Sequence, residues 1–150
     1  MIVVAAKHEE LDIMPSLVDE ADKVIITGVG AVNVWRALKD EPRDQEVVNI
    51  GYVGSNVLPV GTLCSPEEVE LYHPNVSYAE KELEWLDAYV HMNHAKCYTN
   101  VDFVLETKIK EPVIFDMELA FIAAMGFRTV RAVKKVSDNL SLKEYEENSK

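Results

Sequence analysis

Short apolar runs rich in β-branched residues recur along this chain and alternate with segments of mixed polarity. Such runs predict buried strands at residues 1–6, 23–26 and 46–55. Two further runs, at residues 112–115 and 128–136, predict strands in the second half of the chain. Several of these runs are followed at once by glycine or by polar residues, which mark the points where the strands are expected to end.

Helical spacing of apolar residues predicts some of the segments that connect these strands. Residues 31–40 predict a helix, and residues 117–125 predict another that ends at Gly126. The packed face of the first helix is expected to consist of Val32, Trp35 and Leu38. A final helix is predicted after Ser141, whose hydroxyl suits an N-cap.

Three central segments carry weaker patterns. Residues 60–74 predict one or two short strands around a turn at Ser65-Pro66. Residues 78–92 predict a helix, and residues 96–108 predict a strand, a polar turn and the start of a helix. The apolar residues at helical spacing in the second of these segments are Leu83, Leu86 and Val90.

The alternation of strands and helices predicts an α/β fold, a three-layer sandwich around a twisted, mixed and mostly parallel sheet. In such sheets the ligand crevice lies at the carboxyl ends of the strands. Polar or glycine-rich groups follow five of the predicted strands. They read "KHEE", "TGVG", "NIGYVG", "DME" and "SDN". We therefore expect all five groups to meet at one edge of the sheet.

Composition limits the class of protein. At 150 residues the chain is expected to form a single domain, residues 1–150. Its net charge of −11 argues against nucleic-acid binding, which needs a basic surface. No apolar run approaches the ~20 residues that span a bilayer, and no secretory signal is visible, so no membrane partner is expected. Cys64 and Cys97 predict reduced thiols, and the cytoplasm is the expected location.

The stretch "IFDMELAFIAAMGF", residues 114–127, places two carboxylates and a thioether where a strand meets a helix. Asp116 and Glu118 have two interpretations. They can cap the helix and oppose its dipole, or Glu118 can accept hydrogen bonds from the vicinal hydroxyls of a sugar. In the second interpretation Met117 supplies an apolar wall.

Two other acidic positions also allow a structural and a functional interpretation. Asp138 can start a turn, or it can be a sheltered general acid with a raised pKa. Glu9 is expected to face water, whereas Glu10 can point into the crevice and polarise a water molecule.

The glycine segments and the histidines carry weaker signals. Glycines after strands usually permit tight turns, and "GVG" is too short for a dinucleotide fingerprint. Their functional meaning would be close approach of a ligand to the backbone. His91 and His94 have no companion carboxylate pattern, so exposed or interfacial histidines are favoured and no metal is expected.

The ordered set "AKHEEL", "TGVGAV", "NIGYVGS", "CYTNVDFV", "FDMELA" and "VSDN" resembles the nucleoside phosphorylase superfamily. Within it the chain is most similar to the methylthioadenosine/S-adenosylhomocysteine nucleosidases, as a shortened member. The similarity extends almost from end to end in the same order. It implies a nucleoside phosphorylase-like fold, a small-molecule nucleoside substrate, no cofactor, and a homo-oligomer, with a dimer favoured.

The resemblance also implies a role for each matching residue. Glu10 matches the glutamate that activates the attacking water, and Asp138 matches the aspartate that protonates N7 of the departing purine, with Ser137 beside it. Glu118 matches the glutamate that holds the ribose hydroxyls. The positions that match the walls of the pocket are Met117 beneath the sugar, Phe103 and Val104 at the base, and Gly51 to Gly54 close to the sugar.

The resemblance leads us to expect hydrolysis of the N-glycosidic bond of a purine nucleoside. Phosphorylases of the superfamily bind phosphate through arginines, one of them in a "GxPxR"-like turn after the first strand. Here that turn reads "AKHEE", and its carboxylates would repel phosphate. Two alternatives stay open: a nucleoside-binding protein without catalysis, and a phosphorylase with rearranged phosphate contacts. The segment "CYTNVDF" departs from the family pattern, since Asn100 and Val101 replace a glycine and an aspartate.

Overall fold

The structure is a computed structural model that describes residues 1–72, 78–84, 86 and 92–149. The described residues form nine strands. These are β1 (Ile2–Ala5), β2 (Lys23–Ile26), β3 (Glu46–Ser55), β4 (Leu63–Cys64), β5 (Glu68–Leu71), β6 (Tyr78–Glu82), β7 (Cys97–Thr99), β8 (Ile114–Asp116) and β9 (Thr129–Asp138). The helices are a 3-10 helix (His8–Ile13), α1 (Pro15–Glu20), α2 (Ala31–Leu38), α3 (Leu119–Ala123) and α4 (Leu142–Asn148).

The strands form one mixed sheet, with the path β2-β1-β3-β8-β7-β5-β6 and with β9 beside β3 and β4. The pairs β1–β2, β1–β3, β3–β9, β5–β7 and β7–β8 are parallel. The pairs β3–β8, β4–β9 and β5–β6 are antiparallel. The prediction of a mixed, mostly parallel sheet is confirmed.

Both faces of the sheet are covered, which produces the predicted three layers. Successive side chains of a strand point to opposite faces. In β1, Val4 accordingly joins a core cluster with Val34 and Leu38 of α2, whereas Val3 joins a separate cluster with Leu17 of α1. The helix α3 packs into the first cluster. The nearly continuous apolar runs of β1 and β3 arise because both faces of these strands are buried. The prediction of a buried strand at residues 23–26 is wrong in this respect, because β2 lies at the edge of the sheet and is largely exposed.

The packed face predicted for α2 is partly wrong. Val34 and Leu38, spaced i and i+4, are the residues that this helix buries. Val32 and Trp35 are 69% and 58% exposed. The spacing of Val32, Trp35 and Leu38 fits a helix equally well, so periodicity alone did not select the face that the sheet covers.

The helix predicted at residues 78–92 is wrong at its start, where β6 pairs antiparallel with β5. Leu83 and Leu86 pack into the two different core clusters, on opposite faces of the sheet. Two residues three positions apart on one helix would share a face, so this arrangement excludes the predicted packing. Val90 lies outside the described residues.

The helix start predicted within residues 96–108 is also wrong, because the chain after β7 runs to β8 without regular structure. Asn56 explains part of this path. Its Nδ2 donates to the carbonyl oxygens of Ile109 and Glu111 at 3.0 and 2.9 Å, and its Oδ1 accepts from the amide of Val113 at 3.1 Å. The side chain of Asn56, which follows β3, therefore holds the last part of this path just before β8.

The end of the chain follows its prediction closely. Ser141 is the N-cap of α4, and its hydroxyl accepts from the amide of Glu144 at 3.3 Å. Asn148 holds the other end of the helix, since its Nδ2 donates to the carbonyl oxygen of Ser137 at 3.0 Å. The helix α4 is thereby placed beside the carboxyl end of β9. No helix in the described part of the chain is long and apolar enough to cross a membrane.

Candidate active site

A cavity of about 290 Å³ opens at the carboxyl ends of β1, β2, β8 and β9 and against the second half of β3. All five polar or glycine-rich groups named from the sequence contribute to its wall. Its lining residues are Ala6, Lys7, Glu10, Val29, Tyr52, Val53, Gly54, Phe103, Phe115, Asp116, Met117, Glu118, Asp138 and Tyr145. The strand β8 runs opposite to β3, but the pairing of Phe115 with Gly54 brings its end to the same place.

Glu10 points into this cavity from the 3-10 helix and is 6% exposed. Its Oε1 accepts from the amide of Lys7 at 2.9 Å, and its Oε2 accepts from the amide of Tyr52 at 2.8 Å. These bonds orient both carboxylate oxygens and leave further lone pairs for a water molecule. Glu9, by contrast, is exposed, as predicted.

Gly51 is needed beneath Glu10 because of space. A Cβ at this position would lie 2.9 Å from Oε2 of Glu10 and 3.1 Å from Nζ of Lys134. A side chain there would shift the carboxylate of Glu10 and crowd the ammonium of Lys134. The glycine-rich segment "NIGYVGS" lies inside β3 and not after a strand, which corrects its predicted position. Its glycines provide close packing against acidic side chains instead of a turn.

In "DMEL" the structural interpretation applies to Asp116, and Glu118 has the position that the functional interpretation requires. Asp116 serves the first turn of α3, since its Oδ2 accepts from the amides of Leu119 at 2.7 Å and Glu118 at 3.3 Å. Glu118 is thereby free to line the cavity, where its Oε2 accepts from the amide of Gly30 at 3.0 Å. Its other oxygen is available for a ligand that donates hydrogen bonds.

Burial raises the pKa of Glu118 to about 7, and the nearby carboxylates of Asp116 and Glu10 act in the same direction. The ammonium of Lys134 and the amide of Gly30 oppose the shift. Glu118 therefore changes its charge near neutral pH, where a small change of environment alters its capacity to accept hydrogen bonds.

Asp138 is the last residue of β9, and a β-bulge lies directly before it. Val53 of β3 pairs with Val136, whereas the next residue, Gly54, pairs with Asp138, so β9 has one extra residue there. Bulges of this kind redirect a side chain at the end of a strand. The carboxylate is fully buried, with Oδ1 accepting from the hydroxyl of Ser137 at 2.8 Å and Oδ2 from the amide of Leu140 at 3.0 Å.

Burial raises the pKa of Asp138, although the hydrogen bonds from Ser137 and Leu140 counteract part of the effect. A raised pKa favours the protonated form that a general acid requires. Gly54 lies directly against this carboxyl group, since a Cβ there would stand 2.8 Å from Oδ2 of Asp138. Ser137 touches Asp138 but does not itself line the cavity.

The remaining predicted wall residues lie near these acids. Met117 and Phe103 line the cavity, and the ring of Phe103 meets the ring of Tyr145 at 5.3 Å between centroids. Val104 lines a small adjoining cavity of about 30 Å³, which also touches Asp138 and Gly54. The resemblance implies that Val104 lies at the base, but Val104 does not line the main cavity.

Lys134 is a central residue that the sequence analysis missed. It is 1% exposed, its Nζ lies 3.2 Å from Oδ2 of Asp116, and it also donates to Oδ1 of Asn49. Burial alone lowers the pKa of Lys134, but the carboxylates of Asp116 and Glu118 outweigh burial, and the pKa is raised. The ammonium is therefore a fixed positive charge beneath the acids.

The signal for Lys134 was present in the strand pattern. In "RTVRAVKKVSD" Ala132 and Val136 pack in one core cluster. Lys134 lies midway between them, so its side chain belongs to the same buried face of the strand. A lysine at an inward position of a buried strand requires acidic partners. Lys7 and Tyr145, which also line the cavity, gave no comparable signal.

The side chains that line the cavity are suited to acid–base chemistry. The described residues contain no cluster of three or more potential metal-binding side chains. His94 instead contacts the carbonyl oxygen of Ser65 through Nδ1 at 2.7 Å, and His91 lies outside the described residues. The arrangement of four carboxylates, a buried cation and aromatic walls can hold a polar ring, activate water and deliver a proton.

Comparison with known proteins gives a structural match only. No protein-family model and no curated protein matches the chain. A 5′-methylthioadenosine/S-adenosylhomocysteine nucleosidase from Helicobacter pylori matches 99% of this chain and 90% of its own, with 14% identity and a TM-score of 0.75. The futalosine hydrolase of Helicobacter pylori matches 99% and 89%, with 13% identity and a TM-score of 0.75.

A nucleosidase from Chlamydia trachomatis, solved with bound methylthioadenosine, matches 99% of this chain and 88% of its own. The identity is 18% and the TM-score is 0.76. The resemblance drawn from the sequence is therefore confirmed at the level of the fold, which this chain shares with nucleosidases. Identities this low leave activity and substrate to the residues of the site.

Proposed function

We propose that this protein hydrolyses the N-glycosidic bond of a purine nucleoside of the methylthioadenosine or adenosylhomocysteine type. One observation carries the proposal. Glu10, Glu118 and Asp138, which are far apart in the sequence, line a single cavity. The fold that the chain shares with nucleosidases supports the same reaction class.

The proposed reaction assigns one step to each acid. Asp138 donates a proton to N7 of the purine as the bond between N9 and C1′ breaks, so the base leaves neutral. Glu10 takes a proton from water while the water oxygen bonds to C1′. Glu118 accepts hydrogen bonds from the ribose hydroxyls, which become more acidic as positive charge grows on the sugar. General acid catalysis of this kind is typically worth ~10²–10⁴-fold in rate.

The basic residues favour water over phosphate as the nucleophile. Three of the arginines are engaged away from the cavity: Arg43 binds carbonyl oxygens of residues 38–41 and 125, Arg128 pairs with Glu46, and Arg131 pairs with Glu84. None of the described cavity-lining residues is an arginine. The ammonium of Lys134 is already neutralised by Asp116. Lys7 is the one cation among the described lining residues, so phosphate beside Glu10 would lack the bidentate contacts that arginines provide.

The direct test is release of free base from methylthioadenosine, adenosylhomocysteine, adenosine and inosine, with and without phosphate. Release that does not depend on phosphate supports the proposal. A rate that requires phosphate identifies a phosphorylase. Tight binding by calorimetry, with the nucleoside recovered intact, identifies a binding protein without catalysis. Neither release nor binding across the panel would refute the assignment to nucleosides.

The pKa of Glu118 near 7 predicts a pH-dependent affinity. The carboxylate accepts ribose hydroxyls better than the protonated acid, so raising the pH from 6 to 8 should strengthen binding. The fraction of protein molecules in which Glu118 is ionised then grows from about a tenth to about nine tenths, which gives an affinity gain of up to about tenfold. The measurement is nucleoside binding to the Asp138→Asn variant, in which turnover is suppressed.

Glu118→Gln is the matched control, and it should bind weakly at every pH without this gain. It should also unfold less readily at pH 8. The folded protein retains a proton on Glu118 that the unfolded chain loses above about pH 4.5, so the free energy of unfolding falls between about pH 4.5 and 7. The shift to about 7 corresponds to a cost on the order of 3 kcal/mol at pH 8, which glutamine avoids. Equal stability of the two proteins at pH 8 would contradict this account.

We also propose a homodimer in the cytoplasm. The free, buried thiols of Cys64 and Cys97 agree with a reducing compartment. Five exposed large apolar side chains lie between residues 24 and 35, on β2 and α2 and the turn between them. They are Val24, Ile26, Val29, Val32 and Trp35. Val29 also lines the cavity, so this surface continues into the site, and a second copy is the occupant that would cover it.

Trp35→Glu should therefore convert the protein to a monomer. A charge at a residue that is 58% exposed has little effect on the fold but disrupts an apolar interface. The measurement is sedimentation or light scattering at several concentrations. Val57→Glu is the control, because Val57 is 54% exposed and lies outside the surface. Monomeric wild-type protein at all concentrations would overturn the dimer.

A further inference from the structure

One wall of the cavity has no task in the reaction proposed above. It is formed by Lys7, which follows β1, and by Tyr145 of α4, 138 residues apart. The ammonium of Lys7 donates to the hydroxyl of Tyr145 and stands 4.6 Å from the centroid of its ring. The ring of Phe103 packs against that ring in a T-shaped arrangement. We refer to Lys7 and Tyr145 as the lysine–tyrosine wall.

Lys7 brings a positive charge to a cavity whose other charged lining residues are acids. Burial lowers the pKa of Lys7, but the hydrogen bond from Lys7 to Tyr145 and the charges of Glu10 and Glu9 outweigh it. The pKa of Lys7 is therefore raised, and the side chain is a cation at physiological pH. Among the described residues, Tyr145 is the side chain that accepts from it, so further ammonium protons can serve a ligand.

The position of this wall follows from what the other side chains contact. Under the proposed function, Asp138 faces the purine and Glu118 faces the ribose hydroxyls. Glu10 holds the water at C1′ and belongs to the same turn as Lys7, whose amide it binds. The 5′ arm is the part of a nucleoside that these three acids leave without a partner.

We propose that the lysine–tyrosine wall selects nucleosides whose 5′ substituent carries an anion. The inference rests on the proposed function, because that reaction assigns the other walls. A carboxylate or a phosphate would receive hydrogen bonds from the ammonium of Lys7 and from the hydroxyl of Tyr145. Charge-assisted bonds of this type are stronger and shorter than those between neutral groups.

A neutral alkylthio group at the 5′ position fits this wall poorly. It would cover the ammonium of Lys7 without offering an acceptor, and burying a charge further without a new hydrogen bond costs free energy. Sites built to hydrogen-bond a substrate group discriminate strongly against analogues that lack it. The wall therefore favours an anionic arm over the methylthio group of methylthioadenosine.

The test compares three adenosine derivatives with wild-type protein and with Lys7→Met. The first is 5′-carboxymethylthio-5′-deoxyadenosine, the second is its neutral methyl ester, and the third is adenosine 5′-monophosphate. Wild-type protein should release adenine from the carboxylate at least tenfold more efficiently, in kcat/KM, than from the ester. Lys7→Met should abolish that preference. Lys143→Met removes the same charge from an exposed position of α4 and should retain it.

The monophosphate distinguishes the source of the anion, since a preference for it over the carboxylate identifies a nucleotide and the reverse identifies a carboxylated arm. Equal efficiency with ester and acid, or an unchanged preference in Lys7→Met, would overturn the inference while leaving nucleoside hydrolysis intact. If no adenine is released from any compound, the proposed function fails. Calorimetry with the same ligands then decides the inference by whether Lys7→Met loses the affinity difference between acid and ester.

Discussion

Asp138→Asn is expected to lower the rate of base release by about 10²–10⁴-fold while the protein stays folded. Asparagine has nearly the same shape as aspartate but cannot give a proton to N7. In Asp138 one carboxylate oxygen accepts from Ser137 and the other accepts from Leu140. The single side-chain oxygen of asparagine can keep one of these two hydrogen bonds. The measurement is release of adenine from methylthioadenosine, together with thermal unfolding of both proteins.

A leaving group that needs no proton provides the sharpest control for Asp138. With 4-nitrophenyl riboside, Asp138→Asn should lose far less activity than with a purine nucleoside, because nitrophenolate leaves unaided. Asp44→Asn, which changes an exposed acid, should leave both rates unchanged. Equal losses with the purine and the nitrophenyl substrate would show that Asp138 acts in another way than by protonating the base.

Lys134→Met is expected to lower the free energy of unfolding by about 3–5 kcal/mol, as measured by urea denaturation at pH 7. Methionine fills a similar volume but removes the ammonium that lies 3.2 Å from Oδ2 of Asp116. The carboxylates of Asp116 and Glu118 would then share a buried site without a counter-charge. Since Lys134 lowers the pKa of Glu118, its loss should also weaken nucleoside binding at neutral pH.

Two further variants separate this effect from a general loss of packing. Adding Asp116→Asn to Lys134→Met removes one unpaired charge and should restore part of the stability, because the amide oxygen still accepts from the first turn of α3. Lys135→Met changes the neighbouring residue of β9, which is half-buried, and should alter stability by less than about 0.5 kcal/mol. A similar cost for both lysines would contradict the central role of Lys134.

The fold was accessible from the sequence where the pattern had a single physical interpretation. The runs that became β1, β3 and β9 are rich in β-branched residues, which favours buried strands. The helix after Ser141 also followed from one strong local signal. Residues 78–92 failed because their apolar spacing suits a helix, whereas the pairing of β6 with β5 and two separate core clusters decided their structure.

Part of the candidate site could also be predicted from the sequence. The predicted acids Glu10, Glu118 and Asp138 all line one cavity. The strands β1 and β9 run parallel to β3 and end at the same edge, and the antiparallel strand β8 reaches it by pairing Phe115 with Gly54. Their catalytic roles stay a prediction until the variants are measured. The division of labour in "DMEL", with Asp116 capping α3 and Glu118 facing the cavity, was left open by the sequence.

The sequence by itself determined most of the strands, the helices α2, α3 and α4, and the acidic residues near the strand ends, since these depend on local patterns. It did not predict β6, α1 or the 3-10 helix. Tertiary structure alone decided that Lys134 neutralises Asp116 and that Lys7 meets Tyr145 across 138 residues. It also decided which face of α2 is buried. The physical reason is that charge pairing and burial depend on distances in space, and residues distant along the chain carry no local mark of their future neighbours.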